Sequence, residues 1–408
     1  MKILSWRRSR WQFLLNIEII YAILFQLYEG ATFSRNNFWV AGELFLLLVL
    51  NYFQGKNKAT YYLTICLNLL ILPDQFCEYW AITGNNLLHL MPQVSILIIL
   101  LLWLVWLVLL LPVAMVSASQ IKNWFLRLIA FGLFLDVQYG SDQGLLISKN
   151  LPVMHSINNQ GVVSAFALLI LVCFLVHSWG FRFNPNLKFQ PSANFSWVVY
   201  SVLILLLVIN VAWNTFGGNG NNIFSILFSY IVDIHSKYIY VPSFTSALEP
   251  GVLEEAERYI NIMILLIASR NLKKWRIPIA VYGSTLLFAL PHFSNIGWNG
   301  QTVAATISQV LAVTDAMMWV AAYFYIGKLW FIMIVHFFND YFINIQWGWN
   351  SPSTWTGDFN DWATTIIPLI FGLIVTIWMM YGKRRLVMEE KVDRLLGTDQ
   401  ELDFSRMY

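Results

Sequence analysis

The stretch LEPGVLEEAERYI, residues 248–260, packs Glu254, Glu255, Glu257 and Arg258 into five positions just ahead of an apolar run, NIMILLIA. On a helix, residues three and four apart share a face. Glu254 and Glu255 can therefore each reach Arg258 while projecting about 100° apart. One carboxylate can be held by the guanidinium and the other left free to work. The plain alternative is a solvated helix start, where acids favour the macrodipole.

Two further clusters lie downstream. LLFALPHFSN places Phe288 and His292 at i and i+4, and WFIMIVHFFNDYFIN places His336 and Asp340 at the same spacing, with Asn339 beside them. A charged side chain at the bilayer centre costs on the order of 3 kcal/mol even on insertion scales, so such residues face the protein interior or a wet cavity. Isolated cases in the N-terminal half, Glu18, Glu43 and His177, read as interhelical contacts. A histidine at a span end can equally be satisfied by a neighbour, and a buried His–Asp pair can serve a proton or ion pathway in a transporter.

Taken together, the clusters have the makings of a hydrolase. A free carboxylate in a wet cavity acts as general base on water. A histidine holds that water or protonates the leaving group. A second histidine beside a carboxylate or carboxamide stabilises a developing oxyanion. The same His and carboxylate types are also ligands for zinc.

Such groups need elements to hold them, and composition says which. The chain is 58% hydrophobic and 12% charged, against about 25% charged in soluble domains. This defines an all-α polytopic membrane protein and excludes a nucleic-acid-binding role. Cys66, Cys77 and Cys173 show no paired spacing, so no disulfide framework is implied.

A span needs roughly 20 apolar residues. Candidates fall near 11–29, 38–54, 60–73, 94–118, 123–138, 161–181, 195–214, 245–269, 277–292, 303–326, 328–347 and 363–381, giving about 12 transmembrane helices. The first carries a basic head but no cleavage site follows, so it reads as a retained span. The segment 222–241 could span, re-enter or lie in the interface.

Basic clusters at Lys2–Arg10, Lys56/Lys58, Lys122/Arg127, Arg182/Lys188, Arg270–Arg276 and Lys383–Lys391 all fall on one side if 222–241 does not span. That places both termini in the cytoplasm, as in a bacterial plasma membrane. The Pro/Asn-rich stretch 182–195 separates an N-terminal region, 1–190, of unassigned role from the C-terminal helices, and 382–408 forms a cytoplasmic tail.

The order Glu-Glu…Arg, Phe-x-x-x-His, His-x-x-x-Asn/Asp on successive helices resembles the CPBP family, the type II CAAX prenyl endopeptidases and bacteriocin-processing or immunity (Abi) proteins. The resemblance covers about 195–381. Phe288-x-x-x-His292 and His336-x-x-x-Asp340 match as they stand. The first motif departs: the family has Glu-Glu-x-x-x-Arg, whereas Arg258 comes one position early and Glu257 is extra.

The resemblance implies an intramembrane endopeptidase. Glu254 would activate water with His292, Glu255 and Arg258 would support it, and His336 with Asp340 would stabilise the oxyanion. Phe288 and Asn339 would be supporting residues. The family has been described both as metalloproteases and as metal-independent glutamic proteases. No His-Glu-x-x-His run is present, which favours chemistry without a cofactor. A divalent metal such as zinc, if bound, would take Glu254, His292 and His336.

The implied partners are the lipid bilayer and a peptide or membrane-protein substrate, with a membrane sensor or secretion partner for relatives that act as scaffolds. The competing readings are a non-proteolytic scaffold or regulator of the same fold, such as an immunity or lysostaphin-resistance-type protein, and an ion-coupled transporter. Against the transporter, the sequence shows neither an internal repeat nor matching interrupted helices.

Overall fold

A computed structural model of the chain describes residues 8–54, 57–140, 144–181, 191–218, 220, 222–348 and 355–397. The basic residues Lys2, Lys56, Arg182 and Lys188, and the tail beyond residue 397, lie outside the described residues. The described part is helical, with no strand. It divides between Gly180 and Phe181 into two compact units.

The first unit holds α1 (Arg8–Thr32), α2 (Asn37–Phe53), α3 (Lys58–Leu90), α4 (Ser95–Trp106), α5 (Leu111–Val116), α6 (Trp124–Gly140), α7 (Pro152–Asn159) and α8 (Val162–Ser178). Lipid tails are as apolar as Leu, so helices in a bilayer associate through packing and interhelical hydrogen bonds. Asn51 and Asn68 exchange such bonds at 2.8 and 3.0 Å, and Asn68 also donates to Ser117 at 3.1 Å. Helix α3 runs well past the expected 60–73 stretch, through Pro73, to Leu90.

The second unit holds α9 (Trp197–Phe216), α10 (Ile223–Phe228), α11 (Val241–Ala268), α12 (Arg276–Ala289), α13 (Val303–Ala312), α14 (Met317–Ile326), α15 (Leu329–Trp347), α16 (Phe359–Met379) and α17 (Gly382–Leu396). Helix α11 is its axis. It starts with Pro242 in the first turn, where the missing N–H is an orphan anyway, and carries Pro250 inside. From Pro250 to Leu266 nearly every residue is buried, as befits a helix surrounded by others.

Helices α15 and α12 pack on α11. At Gly251 an added Cβ would lie 3.2 Å from Met333 O and from Phe337 Cα, so glycine lets the α11 and α15 backbones close. Helix α12 tightens into a 3-10 turn over Leu290–Asn295, at Pro291, whose ring cannot continue an α-helix.

The segment 222–241 does not span as a helix. Helix α10 is six residues long, closed by an Asn222–Ser225 capping box, and the chain then runs to a 3-10 turn at Ser236–Tyr238. Among the described residues, six helical stretches are long and apolar enough to cross a membrane, or seven if the pair α7–α8, bent by 50°, is one span. That falls short of twelve. Helix α11 is excluded by the five charged residues from Glu249 to Arg258, and α2 by its length of 17 residues. Amphipathic α17 docks through Val387, Met388, Lys391 and Val392, against α14, α11, α12 and α16.

Candidate active site

Helix α11 brings Glu254, Glu255 and Arg258 to the face met by α15. Glu255 is buried, and its Oε1 accepts from Arg258 Nη1 and pairs with His336 Nδ1 at 2.7 Å. A carboxylate can only accept, so Nδ1 donates and carries a proton. The other ring nitrogen, Nε2, stands 3.6 Å from Glu254 Oε2 and 3.5 Å from Asp340 Oδ2. The two glutamates differ in their surroundings. Arg258 takes Glu255 at i+3, and the Glu254 side chain keeps 18% of its surface exposed against 1% for Glu255.

The guanidinium has its own seat. Arg258 Cζ lies 3.9 Å from the centre of the Phe288 ring and 5.5 Å from that of Trp319. Cation–π contact of this kind offsets part of the cost of burying a charge. Phe288 thus earns its place in the motif as the face on which the arginine rests.

Around His336 the rings close in: Trp319 at 5.1 Å and Phe288 at 6.5 Å. Asn339 accepts from Asn214 at 2.8 Å and donates to Asp340 Oδ1 at 3.0 Å. It therefore orients the Asp340 carboxylate.

His292 is placed differently from expectation. No hydrogen bond or ion pair joins it to Glu254 among the described residues. Its link to the cluster is Phe288, whose ring is 5.3 Å away. Its Nδ1 is enclosed and has no hydrogen-bond partner among the described residues. His292 is carried by the 3-10 turn Leu290–Asn295 that follows α12. Among the described residues no three His, Cys, Asp or Glu side chains are arranged to hold a metal ion, so Glu254, His292 and His336 are not assembled as a ligand set.

Several polar residues of the site lie outside the motifs. Asp315 accepts from Asn210 at 2.8 Å, and Asn210 accepts from Trp319 Nε1 at 3.1 Å. Asp315 is buried and within electrostatic reach of Arg258 and His336. Glu249 lies within electrostatic reach of Glu254, Asp340 and His336. Asn210 and Asn214 sit four apart on α9, a spacing that could have marked a polar stripe. Asp315 interrupts an otherwise apolar run, and a lone buried acid there was the available signal.

A helical membrane protein with two adjacent glutamates, an arginine and a histidine gathered in its interior is the class defined so far. Residues 243–342 match the family model described as Type II CAAX prenyl endopeptidase Rce1-like. The match supports the resemblance to the CPBP family over about a quarter of the chain, the quarter that holds the glutamate, arginine and histidine motifs. At the level of that family, the activity is peptide hydrolysis within a membrane. No curated protein and no solved structure matches the chain.

Proposed function

We propose that the chain is an intramembrane endopeptidase that cleaves a membrane-associated peptide or protein precursor with a glutamate-activated water. One observation carries this reading. Of two adjacent glutamates, Glu255 is locked by Arg258 and His336, while Glu254 keeps a partly open carboxylate beside the same imidazole.

Glu254 takes a proton from water as the water oxygen adds to the scissile carbonyl. His336, donating through Nδ1 to Glu255, turns Nε2 toward the reaction and faces the developing oxyanion, with Asp340 beside it. Donors fixed before the reaction cost no reorganisation during it. His292 Nδ1, without a protein partner among the described residues, is left to hold the water or the substrate. Arg258, seated on Phe288, keeps Glu255 ionised and in place.

Arg258 comes one position earlier than in the family pattern, and Glu255 and Arg258 pair at that shorter spacing. The proposal places the chain in a bacterial plasma membrane with both termini cytoplasmic. A prenylated CAAX peptide, the substrate in the family's description, is the first to try.

The test is cleavage of quenched fluorescent peptides, prenylated and unprenylated, by the purified chain in lipid vesicles. Cleavage that disappears in Glu254→Gln at unchanged melting temperature supports the reading. An unchanged spectrum of released peptides in cells expressing Glu254→Gln, with no cleavage in vesicles, would transfer it to the scaffold.

A further inference from the structure

Helix α9 lies outside residues 243–342, the segment that matches the family model. It packs against both α14 and α15. Two of its carboxamides, Asn210 and Asn214, reach the surroundings of His336 by separate routes.

The first route runs through the indole. Trp319 Nε1 donates to Asn210 Oδ1 at 3.1 Å, and Asn210 Nδ2 donates to Asp315 Oδ2 at 2.8 Å. All three residues are buried. An indole N–H can only donate, so it fixes which way the carboxamide points: Oδ1 to Trp319, Nδ2 to the carboxyl of Asp315. Asp315 sits in the 3-10 turn Val313–Ala316. Helix α16 closes on that turn at Gly372, where an added Cβ would lie 2.8 Å from Asp315 O and 2.9 Å from its Cα. Held in this way, the Trp319 ring stands 5.1 Å from the His336 ring, inclined at 70°, and 5.5 Å from Arg258 Cζ.

The second route starts one turn further along α9. Asn214 donates to Asn339 Oδ1 at 2.8 Å, and Asn339 donates to Asp340 Oδ1 at 3.0 Å. The other oxygen of Asp340 lies 3.5 Å from His336 Nε2. One route therefore ends on the imidazole ring and the other at its Nε2.

We propose that α9 is the positioning helix of the site: Asn210, with Asp315, sets the Trp319 indole against His336, and Asn214 sets Asp340 through Asn339. The need for it is geometric. His336 is tied to Glu255 through Nδ1 alone, and an imidazole held at one nitrogen can swing about that bond. An indole against the ring and a carboxylate beside Nε2 remove the swing. Hydrogen-bond chains whose members are all partnered are stiff enough to do this. Neither asparagine is a catalytic residue, since each acts through another side chain.

The proposal rests on the endopeptidase reading for its purpose but not for its first test. Solid-state NMR of 15N-histidine-labelled protein in lipid vesicles follows the His336 ring, assigned with His336→Gln. Asn210→Leu and Asp315→Leu break the first route at different points, so one serves where the other fails to fold. Each is expected to shift the His336 signals, because the indole moves relative to the ring. Asp315→Asn keeps an acceptor oxygen for Asn210 and is expected to restore them. His336 signals unmoved in a folded Asn210→Leu or Asp315→Leu protein overturn the proposal.

Cleavage is read alongside. Asn210→Leu is expected to lower kcat by roughly 10- to 100-fold with little change in KM, and Asp315→Asn to keep most of it. With Trp319→Phe already in place, Asn210→Leu is expected to add no further loss. Shifted His336 signals in a protein that cleaves nothing leave the positioning helix standing and remove the endopeptidase reading. Cleavage with kcat untouched in Asn210→Leu, at whatever melting temperature, reduces Asn210 to helix packing and overturns the proposal.

Discussion

His336 Nδ1 lies 2.7 Å from Glu255 Oε1, and this contact ties together residues 81 apart in sequence. The same oxygen takes Arg258 Nη1. Glu255 is therefore the keystone of a buried charge cluster, and Glu254 is not. Glu255→Gln is expected to destabilise the protein by about 3–5 kcal/mol, because it leaves the Arg258 charge buried without its counter-ion. Glu254→Gln is expected to leave stability unchanged and to abolish cleavage. Thermal melts of both variants in the same detergent check the contrast.

The seat of Arg258 makes a second prediction. Phe288→Leu keeps an apolar side chain but removes the ring face 3.9 Å from the guanidinium. A loss of about 1–2 kcal/mol is expected, with cleavage falling alongside. Phe288→Tyr, which retains the ring face, is expected to keep most of both. Melting curves and cleavage rates measured on the two variants decide it.

Gly251 supports a third. An added methyl there meets backbone, Met333 O and Phe337 Cα at 3.2 Å, and backbone cannot swing aside. Gly251→Ala is expected to push α11 from α15, at a cost of about 1–3 kcal/mol, and to lengthen the contacts of His336 with Glu254 and Glu255. Gly42→Ala, with nothing within 4 Å of the new methyl, is the helical control. It is expected to stabilise by about 0.5–1 kcal/mol through helix propensity. Opposite signs in denaturation midpoints would confirm the contrast.

A fourth concerns α17, which lies outside the spanning helices. Burial, then the neighbouring Arg394 and Lys328, lower the Lys391 amine from 10.5 to about 8. Below pH 8 the amine is charged whether or not α17 is docked, so the cost of burying it is carried in full. Between pH 8 and 10.5 the docked amine is neutral while the free one is still charged, so docking strengthens as pH rises through that window. Lys391→Met is expected to flatten this dependence. Protease protection of α17 across the pH range measures it.

The helices of this fold were largely legible because lipid demands long apolar runs, and α8, α9 and α16 are such runs. Helix α3 was cut short in the sequence reading because Asp74, Glu78, Asn85 and Asn86 break the apolar pattern, yet the helix continues through them. The segment 222–241 looked apolar enough to span, but the Asn222–Ser225 capping box closes α10 at its start and the helix ends after six residues.

In the site, Glu254, Glu255, Arg258, Phe288 and His336 were legible because each sits at helical spacing within one short motif. Asn210, Asn214 and Asp315 were not. Their roles arise from pairings between helices, and a single helix carries no record of its neighbour's register.

The early arginine bears on how relatives of this chain are to be found. A text pattern with a fixed gap of three between Glu-Glu and Arg would pass over it, although the carboxylate and guanidinium meet as they should. What the chemistry requires is a cation one helical turn beyond the second glutamate, backed by an aromatic ring from the next helix. Either of two gap lengths meets that requirement on an α-helix, so a search phrased in three-dimensional terms would recover sequences that a string comparison discards.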